Sequence, residues 1–273
     1  MAKNAAGIEI FNGFNIKYPE YSVITPHTLK EFTIRTLTIE DEEKLKGSML
    51  TPNKLAEHLN EVIYHCIVKK PDDIKTFADF MNKLTIKDRD ALMYGLYHCT
   101  YKDIHNYDVT CTSCNFVNSV KIDFLKSFKA ETWPKDSLSI IDQEFKVPCE
   151  IAQGITVVIR QPLLCDEANL LKEMAFATDA ARDLAMQLLV IKRFEQDGGA
   201  DIKNPITICE RENIVKGYKQ LPSPDKKQID KAYNENFGKY GVEIESIVKC
   251  QKCGNEEKIT IDLVRQFFRS IYQ

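Results

Sequence analysis

Hydrophobic and polar positions near the start of the chain alternate with the period of two that a half-buried β-strand shows. Phe32 and Ile34 alternate with polar neighbours, so residues 21–24 and 31–37 are predicted to form a β-hairpin. Residues 144–149 and 155–160 are predicted to form a second hairpin around a turn at residues 152–154. The pattern therefore indicates one hairpin near the start of each half of the chain.

After the first hairpin, the apolar positions take the spacing of amphipathic α-helices. A short helix is predicted at residues 41–49, and Thr51 with Pro52 then has the residue types of an N-cap and a first helical position. The helix that they open has one apolar face, formed by Leu55, Leu59, Val62, Ile63 and Cys66. Another helix is predicted at residues 72–83. Thr85 and Asp88 resemble a capping box that opens the next helix.

The second half repeats this plan of helices. A short helix is predicted at residues 165–175, and Thr178 caps a longer one that carries Leu188 and Ile191 on its apolar face. Ser223 and Pro224 again have the residue types of a helix start. Residues 263–272 are predicted to close the chain as a helix, and residues 124–133 to form a short helix and a linker between the halves.

Two C-x-x-C motifs carry the strongest internal likeness of the chain. Cys111 and Cys114 form the first pair, and Cys250 and Cys253 form the second. A shift of 139 positions, 250 minus 111, superposes both pairs and gives five identities in a fifteen-residue window, against roughly one expected from average composition. The further identities are Val109 with Val248, Ile122 with Ile261 and Asp123 with Asp262. This likeness predicts an internal repeat.

The repeat extends upstream of the cysteines. Arg35 precedes Asp41 by the same spacing by which Arg160 precedes Asp166, and apolar residues flank both pairs at equal positions. The chain is therefore predicted to be a tandem duplication, with an N-terminal extension at residues 1–19, a first repeat unit at 20–135 and a second at 136–273. The predicted fold class is α+β, mainly helical, with two similar units that each hold a β-hairpin, helices and a C-x-x-C knuckle.

Composition limits the classes of function that the chain can serve. Its 273 residues are 44% hydrophobic and 28% charged, which is ordinary for a soluble globular protein. The net charge is -3 and Lys and Arg form no long runs, so a dominant nucleic-acid footprint is not expected. Residues 1–13 lack the apolar core of a signal peptide, and no apolar run is long enough to span a bilayer. The protein is therefore expected to be made in the cytoplasm.

The nine cysteines point to metal rather than to disulfides in a reducing compartment. Each C-x-x-C supplies half of a tetrahedral zinc site, so the sequence predicts one structural zinc ion held by Cys111, Cys114, Cys250 and Cys253. Redox chemistry of the two motifs, a site shared with other chains, and no metal at all are the alternatives. The remaining five cysteines are predicted to be small buried hydrophobes, namely Cys66, Cys99, Cys149, Cys165 and Cys209.

Other polar clusters have less specific interpretations. His98 and His105 are candidate metal ligands, but histidines that pack or face solvent are the default expectation. The acidic residues 40–43 are more typical of the first turn of a helix than of a catalytic site, because negative charge there interacts favourably with the helix dipole. No phosphate-binding, dinucleotide-binding, serine-nucleophile or zinc-protease motif occurs in the sequence, so the chain is not expected to be an enzyme. The aromatic residues Phe267, Phe268 and Tyr272 are predicted to lie in the core rather than on a docking surface.

A family resemblance rests on three stretches. Residues 32–45, with Arg35 and the acidic run, resemble the opening of the T-even-type bacteriophage baseplate protein family; a stretch like residues 84–94 and a C-x-x-C knuckle like Cys111–Cys114 follow in that family. The resemblance covers roughly residues 28–125 and departs at Thr36, where the family has proline. It implies a structural or assembly component of the baseplate hub of a contractile tail, with no catalytic residues.

The sequence thus favours a virion protein of the tail baseplate that binds other baseplate and tail proteins and is stabilised by zinc. No membrane and no nucleic acid are expected among its partners. The alternative is a zinc-ribbon protein that binds nucleic acid. Lys249, Lys252 and Lys258 near the second knuckle favour it, but Glu256 and Glu257 interrupt them.

Overall fold

The computed structural model describes residues 17–48, 52–101, 104–175, 177–196 and 206–271. Helices account for 45% and strands for 28% of the structure, and the strands form four sheets. The fold is α+β, but the prediction that it is mainly helical is wrong. Several short segments predicted as helix or loop are strands that pair within these sheets.

The first half contains five helices and six strands within the described residues. The helices are α1 (Ile39–Ser48), α2 (Pro52–Cys66), α3 (Phe77–Lys83), α4 (Ile86–Thr100) and α5 (Phe124–Ser127). The strands are β1 (Glu20–Ile24), β2 (Glu31–Arg35), β3 (Ile67–Lys69), β4 (Ile104–Thr110), β5 (Val117–Asp123) and β6 (Phe128–Glu131).

The second half follows a similar order. Its helices are α6 (Leu164–Glu173), α7 (Asp179–Gln187), α8 (Arg211–Gln220), α9 (Ser223–Tyr233) and α10 (Leu263–Ile271). Its strands are β7 (Phe145–Pro148), β8 (Ile155–Ile159), β9 (Ile191–Gln196), β10 (Ile206–Ile208), β11 (Gly241–Lys249) and β12 (Glu256–Ile261). Short 3₁₀ turns lie at Ile140–Asp142 and Leu188–Val190, and a π-helical turn at Asn234–Gly238.

All four sheets are antiparallel. Their strand orders are β1-β2-β3, β10-β9-β8-β7, β4-β5 and β12-β11-β6. Both predicted hairpins are confirmed, since β1 pairs with β2 and β7 pairs with β8. In each half a strand that follows two helices joins the sheet beside the second hairpin strand, as β3 joins β2 and β9 joins β8.

Helix starts follow local capping chemistry where the sequence supplies it. The Thr85 hydroxyl accepts a hydrogen bond from the Asp88 N–H, and the Asp88 carboxylate accepts one from the Thr85 N–H, which confirms the predicted capping box. Thr178 caps α7, also as predicted. Pro52 is the first residue of α2, but Thr51 lies outside the described residues.

Two predicted helices are too long. The helix expected from residue 72 begins only at Phe77, because Thr76 and Asp79 form a capping box at that point. The helix expected to carry Ile191 ends at Gln187, and Ile191 instead starts β9 and pairs with Ile159. Ile191 is fully buried in this sheet, where a β-branched residue packs better than in a helix.

The segment predicted as short helix and linker ends as a strand. Helix α5 stops at Ser127, and β6 then pairs with Gly241–Ile244 of β11. Phe128 of β6 stacks on Tyr94 of α4 with ring centroids 3.8 Å apart. Because the pairing partner is distant in sequence, no local pattern identifies this strand.

Two main hydrophobic clusters support the fold. The first lies between the β1-β2-β3 sheet and α2 to α4, and it includes Phe267 and Ile271 of α10. The second is built in the other half around Trp133, Val157 and Phe237. Phe267 and Phe268 are buried, as predicted, whereas Tyr272 lies outside the described residues. Among the described residues, every helix falls short of what crossing a bilayer requires.

The halves meet through buried polar contacts as well as apolar ones. Arg89 of α4 and Glu167 of α6 form a buried ion pair. The Leu164 N–H donates to the Leu84 carbonyl over 3.0 Å. The division into units at 20–135 and 136–273 stays a prediction.

Candidate metal centre

The first knuckle is the tight turn between β4 and β5. The Cys111 N–H donates to the Phe116 carbonyl over 2.9 Å, and the Asn115 N–H donates to the Cys111 carbonyl over 2.9 Å. Asn115 has a φ of 55°, in the left-handed region that asparagine tolerates better than most residues. The turn aims the thiols of Cys111 and Cys114 toward the second hairpin.

The second knuckle, between β11 and β12, has the same hydrogen bonds at the same positions. The Cys250 N–H donates to the Asn255 carbonyl over 2.8 Å, and the Gly254 N–H donates to the Cys250 carbonyl over 2.9 Å. Gly254 has a φ of 75° and occupies the place that Asn115 holds in the first turn. Glycine takes this conformation without the strain that a Cβ atom imposes.

The two turns bring four sulfur atoms together. The Sγ atoms of Cys111 and Cys253 are 3.7 Å apart, those of Cys114 and Cys250 are 3.6 Å apart, and all four lie within 4.8 Å of one another. A disulfide needs about 2.05 Å between sulfurs, so these cysteines are free thiols. Four thiolates around one zinc ion at about 2.3 Å are roughly 3.8 Å apart. The spacing therefore fits a tetrahedral site.

The knuckles also brace each other through crossed hydrogen bonds. The buried Asn118 of β5 accepts the Gln251 N–H over 2.8 Å through Oδ1. Glu257 of β12 accepts both the N–H and the hydroxyl of Thr112 over 2.7 Å. The two contacts are equivalent in sequence. Asn118 and Glu257, the acceptors, each lie seven residues after the first cysteine of their own knuckle. Gln251 and Thr112, the donors, each lie one residue after the first cysteine of their own knuckle. The arrangement has approximate twofold symmetry about the sulfur cluster.

Sequence reasoning missed this pair of crossed contacts. The shift of 139 positions that superposes the cysteines also places Asn118 opposite Glu257. The two residues are of different types, so a comparison based on identical residues does not detect them. A search for hydrogen-bond acceptors at equivalent positions would have found them.

The thiols do not share one acidity. Hydrogen bonding from the Cys253 N–H lowers the pKa of Cys250 to about 6. Burial raises the pKa of the Cys111 thiol. The Asn255 N–H acts to lower the pKa of Cys253, but its contacts with Cys114 and Cys250 outweigh this and raise it. Crowded thiols resist simultaneous ionisation, so a cation is needed to hold them all as thiolates.

The donor set fits a soft divalent ion. Thiolates are preferred by zinc and other thiophilic metals, and four of them close a tetrahedral shell. Within the described part of the chain, no other group of His, Cys, Asp or Glu side chains is arranged as a possible metal site. Neither motif opens a helix, which is the context that activates redox cysteines.

The histidines predicted as alternative ligands lie elsewhere. The His105 ring is 2.7 Å from the Tyr97 hydroxyl through Nε2. His98 packs edge-on against Tyr21 with ring centroids 4.5 Å apart. Both histidines pack against aromatic residues, which was the default expectation.

The acidic run at residues 40–43 lies in the first turn of α1, as expected. Asp41 accepts hydrogen bonds from Arg35 and from the N–H and hydroxyl of Thr38. Burial alone would raise the pKa of Asp41, but Arg35, Thr38 and His65 together lower it to about 2. This carboxylate is therefore engaged in a structural contact.

The other five cysteines do not behave as one group. Cys66 and Cys149 are buried, as predicted, and burial raises the pKa of Cys66 to about 12. Cys99 and Cys165 are half-buried. Cys209 is exposed, so the prediction of a buried hydrophobe is wrong for it. Its position two residues before α8, outside any packed face, explains the difference.

Comparison with known protein families gives one extended match. A family model described as T4 bacteriophage base plate protein matches residues 18–269. No curated protein and no solved structure matches the chain. The match spans both halves and both knuckles, well beyond the stretch that carried the sequence resemblance.

Proposed function

The chain belongs to the T4 bacteriophage base plate protein family, and we propose that it serves the hub region of a contractile-tail baseplate as a structural or assembly component stapled by zinc. The proposed ligands are Cys111, Cys114, Cys250 and Cys253. The observation that carries the metal proposal is the packing of four free thiols at the distances of a tetrahedral thiolate site. The family membership carries the baseplate role.

Zinc in such a site is structural. Four thiolates leave no coordination position open for water or substrate, so the ion has no route to catalysis. Its effect is to tie the β4–β5 hairpin to the β11–β12 hairpin, and hence the first half of the chain to the second. Asn118 and Glu257 position the turns for this closure by hydrogen-bonding the opposite knuckle.

We propose that the protein acts by assembly and is not an enzyme. Its partners would be other baseplate and tail proteins, and its place the tail of the virion after synthesis in the host cytoplasm. Support comes from the family, whose description is that of a baseplate protein. The buried ion pair of Arg89 with Glu167 joins the halves, which suits a protein that connects other subunits.

We also propose that residues 20–135 and 136–273 are the products of an internal duplication. Support comes from equivalent contacts: Arg35 pairs with Asp41 and Arg160 pairs with Asp166, each over 2.8 Å and each at the same sequence spacing. The two halves also share the order of hairpin, two helices, third strand, two helices and knuckle. The extra strand β10 in the second half departs from this plan.

The alternative of nucleic-acid binding has less support. Lys129 and Lys258 both pair with Glu245, and Lys249 pairs with Glu256. These carboxylates offset the basic charge near the second knuckle. A phosphate backbone needs lysines whose charge is available to it.

Elemental analysis of the purified full chain tests the metal proposal. We expect about one equivalent of zinc per chain, because one set of four thiolates binds one ion. The double variant Cys111→Ser, Cys250→Ser should lose it. Absence of metal from protein purified without chelator, or full retention of zinc by the double variant, would contradict the proposed site.

A further inference from the structure

Residues from two strand edges line an open cleft beside the knuckles. The cleft has a volume of about 770 Å³ and is lined by residues 107–110 of β4, residues 259–262 of β12 and Gln266 of α10. Among the described residues, β4 pairs only with β5 and β12 pairs only with β11. Both walls of the cleft are therefore strand edges on which no strand of the described chain lies.

The backbone of these edges is oriented to accept another strand. In an antiparallel pair, residues that exchange hydrogen bonds alternate with residues whose N–H and C=O point away from the partner. Because the Cys111 N–H donates across its hairpin, the alternation turns the N–H and C=O of Asp108 and Thr110 outward. The Cys250 N–H fixes the second hairpin in the same way, so Thr260 also presents its N–H and C=O outward.

The size and side chains of the cleft match a short extended peptide. Four residues of strand span roughly 13 Å at about 3.3 Å per residue. Tyr107, Ile259 and Ile261 are half-buried and pack against the first hydrophobic cluster, so the inner face of the cleft is apolar. A strand inserted here would bury every second side chain against this apolar inner face.

The charge of the cleft favours a basic occupant. Asp108 lines it, and none of the lining residues that the structure describes is Lys or Arg. Asp108 is exposed and accepts the hydroxyl of Ser119 over 2.5 Å, which leaves its other carboxylate oxygen toward solvent. An extended segment with Lys or Arg between its apolar residues would complement this carboxylate.

The molecule already pairs an added strand with the start of the corresponding edge of its other knuckle hairpin. Under the shift of 139 positions β11 corresponds to β4, and β6 pairs with the outer edge of β11 along Gly241–Ile244. Strand β6 comes from the linker between the halves, so it is an added strand from outside that hairpin. The fold thus shows that this type of edge accepts an additional strand.

We propose that the cleft between β4 and β12 binds an extended segment of a partner protein as an added β-strand, with apolar and basic residues in alternation. The identity of the partner as a baseplate or tail protein rests on the proposed function. The strand edges and the charges stand independently of the zinc proposal. Backbone hydrogen bonds would give the affinity, and the alternating side chains the specificity.

A designed heptapeptide provides the probe: acetyl-Lys-Val-Lys-Val-Lys-Val-Lys-amide with a fluorescent label. Titration with the full chain should give saturable binding by fluorescence anisotropy. Backbone amide signals of Asp108 and Thr260 should shift in nuclear magnetic resonance spectra. A peptide with alternate backbone nitrogens methylated should bind roughly tenfold more weakly, because it forms fewer ladder hydrogen bonds. A Glu-Val peptide should also bind more weakly.

Matched variants of the chain locate the site. Asp108→Pro removes an outward N–H and should weaken binding of the Lys-Val peptide roughly tenfold. Lys121→Pro makes the same change on the outer edge of β5, away from the cleft, and should leave binding unchanged. Asp108→Asn keeps the backbone and should reduce both the affinity and its dependence on salt.

Several results would overturn the proposal. The first is that the methylated peptide binds as tightly as the unmethylated one. The second is that Asp108→Pro and Lys121→Pro weaken peptide binding equally. The third is that the free chain forms a dimer whose interface covers Asp108 and Thr260. Zinc content measured on the same samples separates the two proposals. A zinc-loaded chain that binds no strand contradicts the cleft alone, and a metal-free chain that binds the peptide contradicts the zinc site alone.

Discussion

Arg35 and Arg160 occupy equivalent places in the two halves, and a comparison of their surroundings shows how the halves differ. Each arginine ends or follows the second strand of a hairpin and pairs over 2.8 Å with the aspartate six residues later. Asp41 is 4% exposed and also accepts from Thr38 and His65. Asp166 is 21% exposed and accepts from Arg160 and the Leu163 N–H. We refer to the two Arg–Asp pairs as clamps. The Arg35–Asp41 clamp is therefore more completely buried and hydrogen-bonded than the Arg160–Asp166 clamp.

The hairpin turns show a related difference. Asp225 at the start of α9 accepts the N–H groups of Glu150, Ile151 and Ala152, three successive residues in the β7–β8 turn. In the first half Asp88 accepts two N–H groups of the β1–β2 turn, those of His27 and Thr28, over 2.9 and 3.2 Å, besides the Thr85 N–H of its capping box.

The buried His27 ring extends the first turn toward the second half. Its two nitrogens lie 2.9 Å from the Thr85 hydroxyl and 3.1 Å from the Tyr240 carbonyl. Burial lowers the pKa of His27, which favours the neutral ring in this contact. The comparison shows that the two halves share the order of their elements, and that the turn of the first half also contacts the second half through His27.

The largest expected effect comes from breaking the sulfur cluster that joins the halves. Cys253→Ser should abolish zinc binding and lower Tm by roughly 10–20 °C, because metal binding contributes directly to folding. Thermal unfolding with and without chelator measures this. Cys209→Ser, an exposed cysteine outside the cluster, is the matched control and should leave Tm and zinc content unchanged. Equal Tm values for Cys253→Ser and Cys209→Ser would contradict a structural role of the site.

The next effect sharpens the comparison of the two clamps. Asp41→Asn should destabilise the protein by roughly 1–2 kcal/mol at pH 7, and Asp166→Asn by less, because only Asp41 is nearly fully buried. The folded pKa of Asp41, about 2, lies below its unfolded value near 4. Its contribution is therefore present above about pH 4 and is lost as the pH falls toward 2.

Chemical denaturation at a series of pH values gives the measurement for the clamps. The difference in stability between the wild-type chain and Asp41→Asn should shrink as the pH falls from about 4 to about 2. Zinc loss at low pH affects both chains alike, so the difference isolates the carboxylate. A constant difference across this range would contradict the assignment.

The smallest effect concerns the crossed contacts of the knuckles. Asn118→Ala should cost about 1 kcal/mol, because it leaves the Gln251 N–H without its acceptor beside the cluster. Glu257→Ala should have a smaller effect, since Thr112 is exposed and water can replace the carboxylate. Zinc affinity from competition with a chelator should fall in the same order. A larger effect at Glu257 would show that charge, rather than burial, dominates this bracing.

Local chemistry in the sequence was enough to predict the parts of the fold that depend on near neighbours. The capping box at Thr85 and Asp88, the β1–β2 and β7–β8 hairpins and the cysteine turns all rest on contacts within a few residues. The family resemblance also came from a local stretch, and the family match over residues 18–269 confirms it. The C-x-x-C spacing likewise marked the four cysteines that the fold gathers.

The tertiary structure alone decided where distant segments pair. Strand β6 exists because β11 offers it an edge, and β9 replaces the predicted end of a helix because β8 does the same. Asn118 reaches Gln251 only after the two knuckles meet. Strand pairing and crossed hydrogen bonds draw their free energy from partners far along the chain, so a local pattern of residues does not contain them.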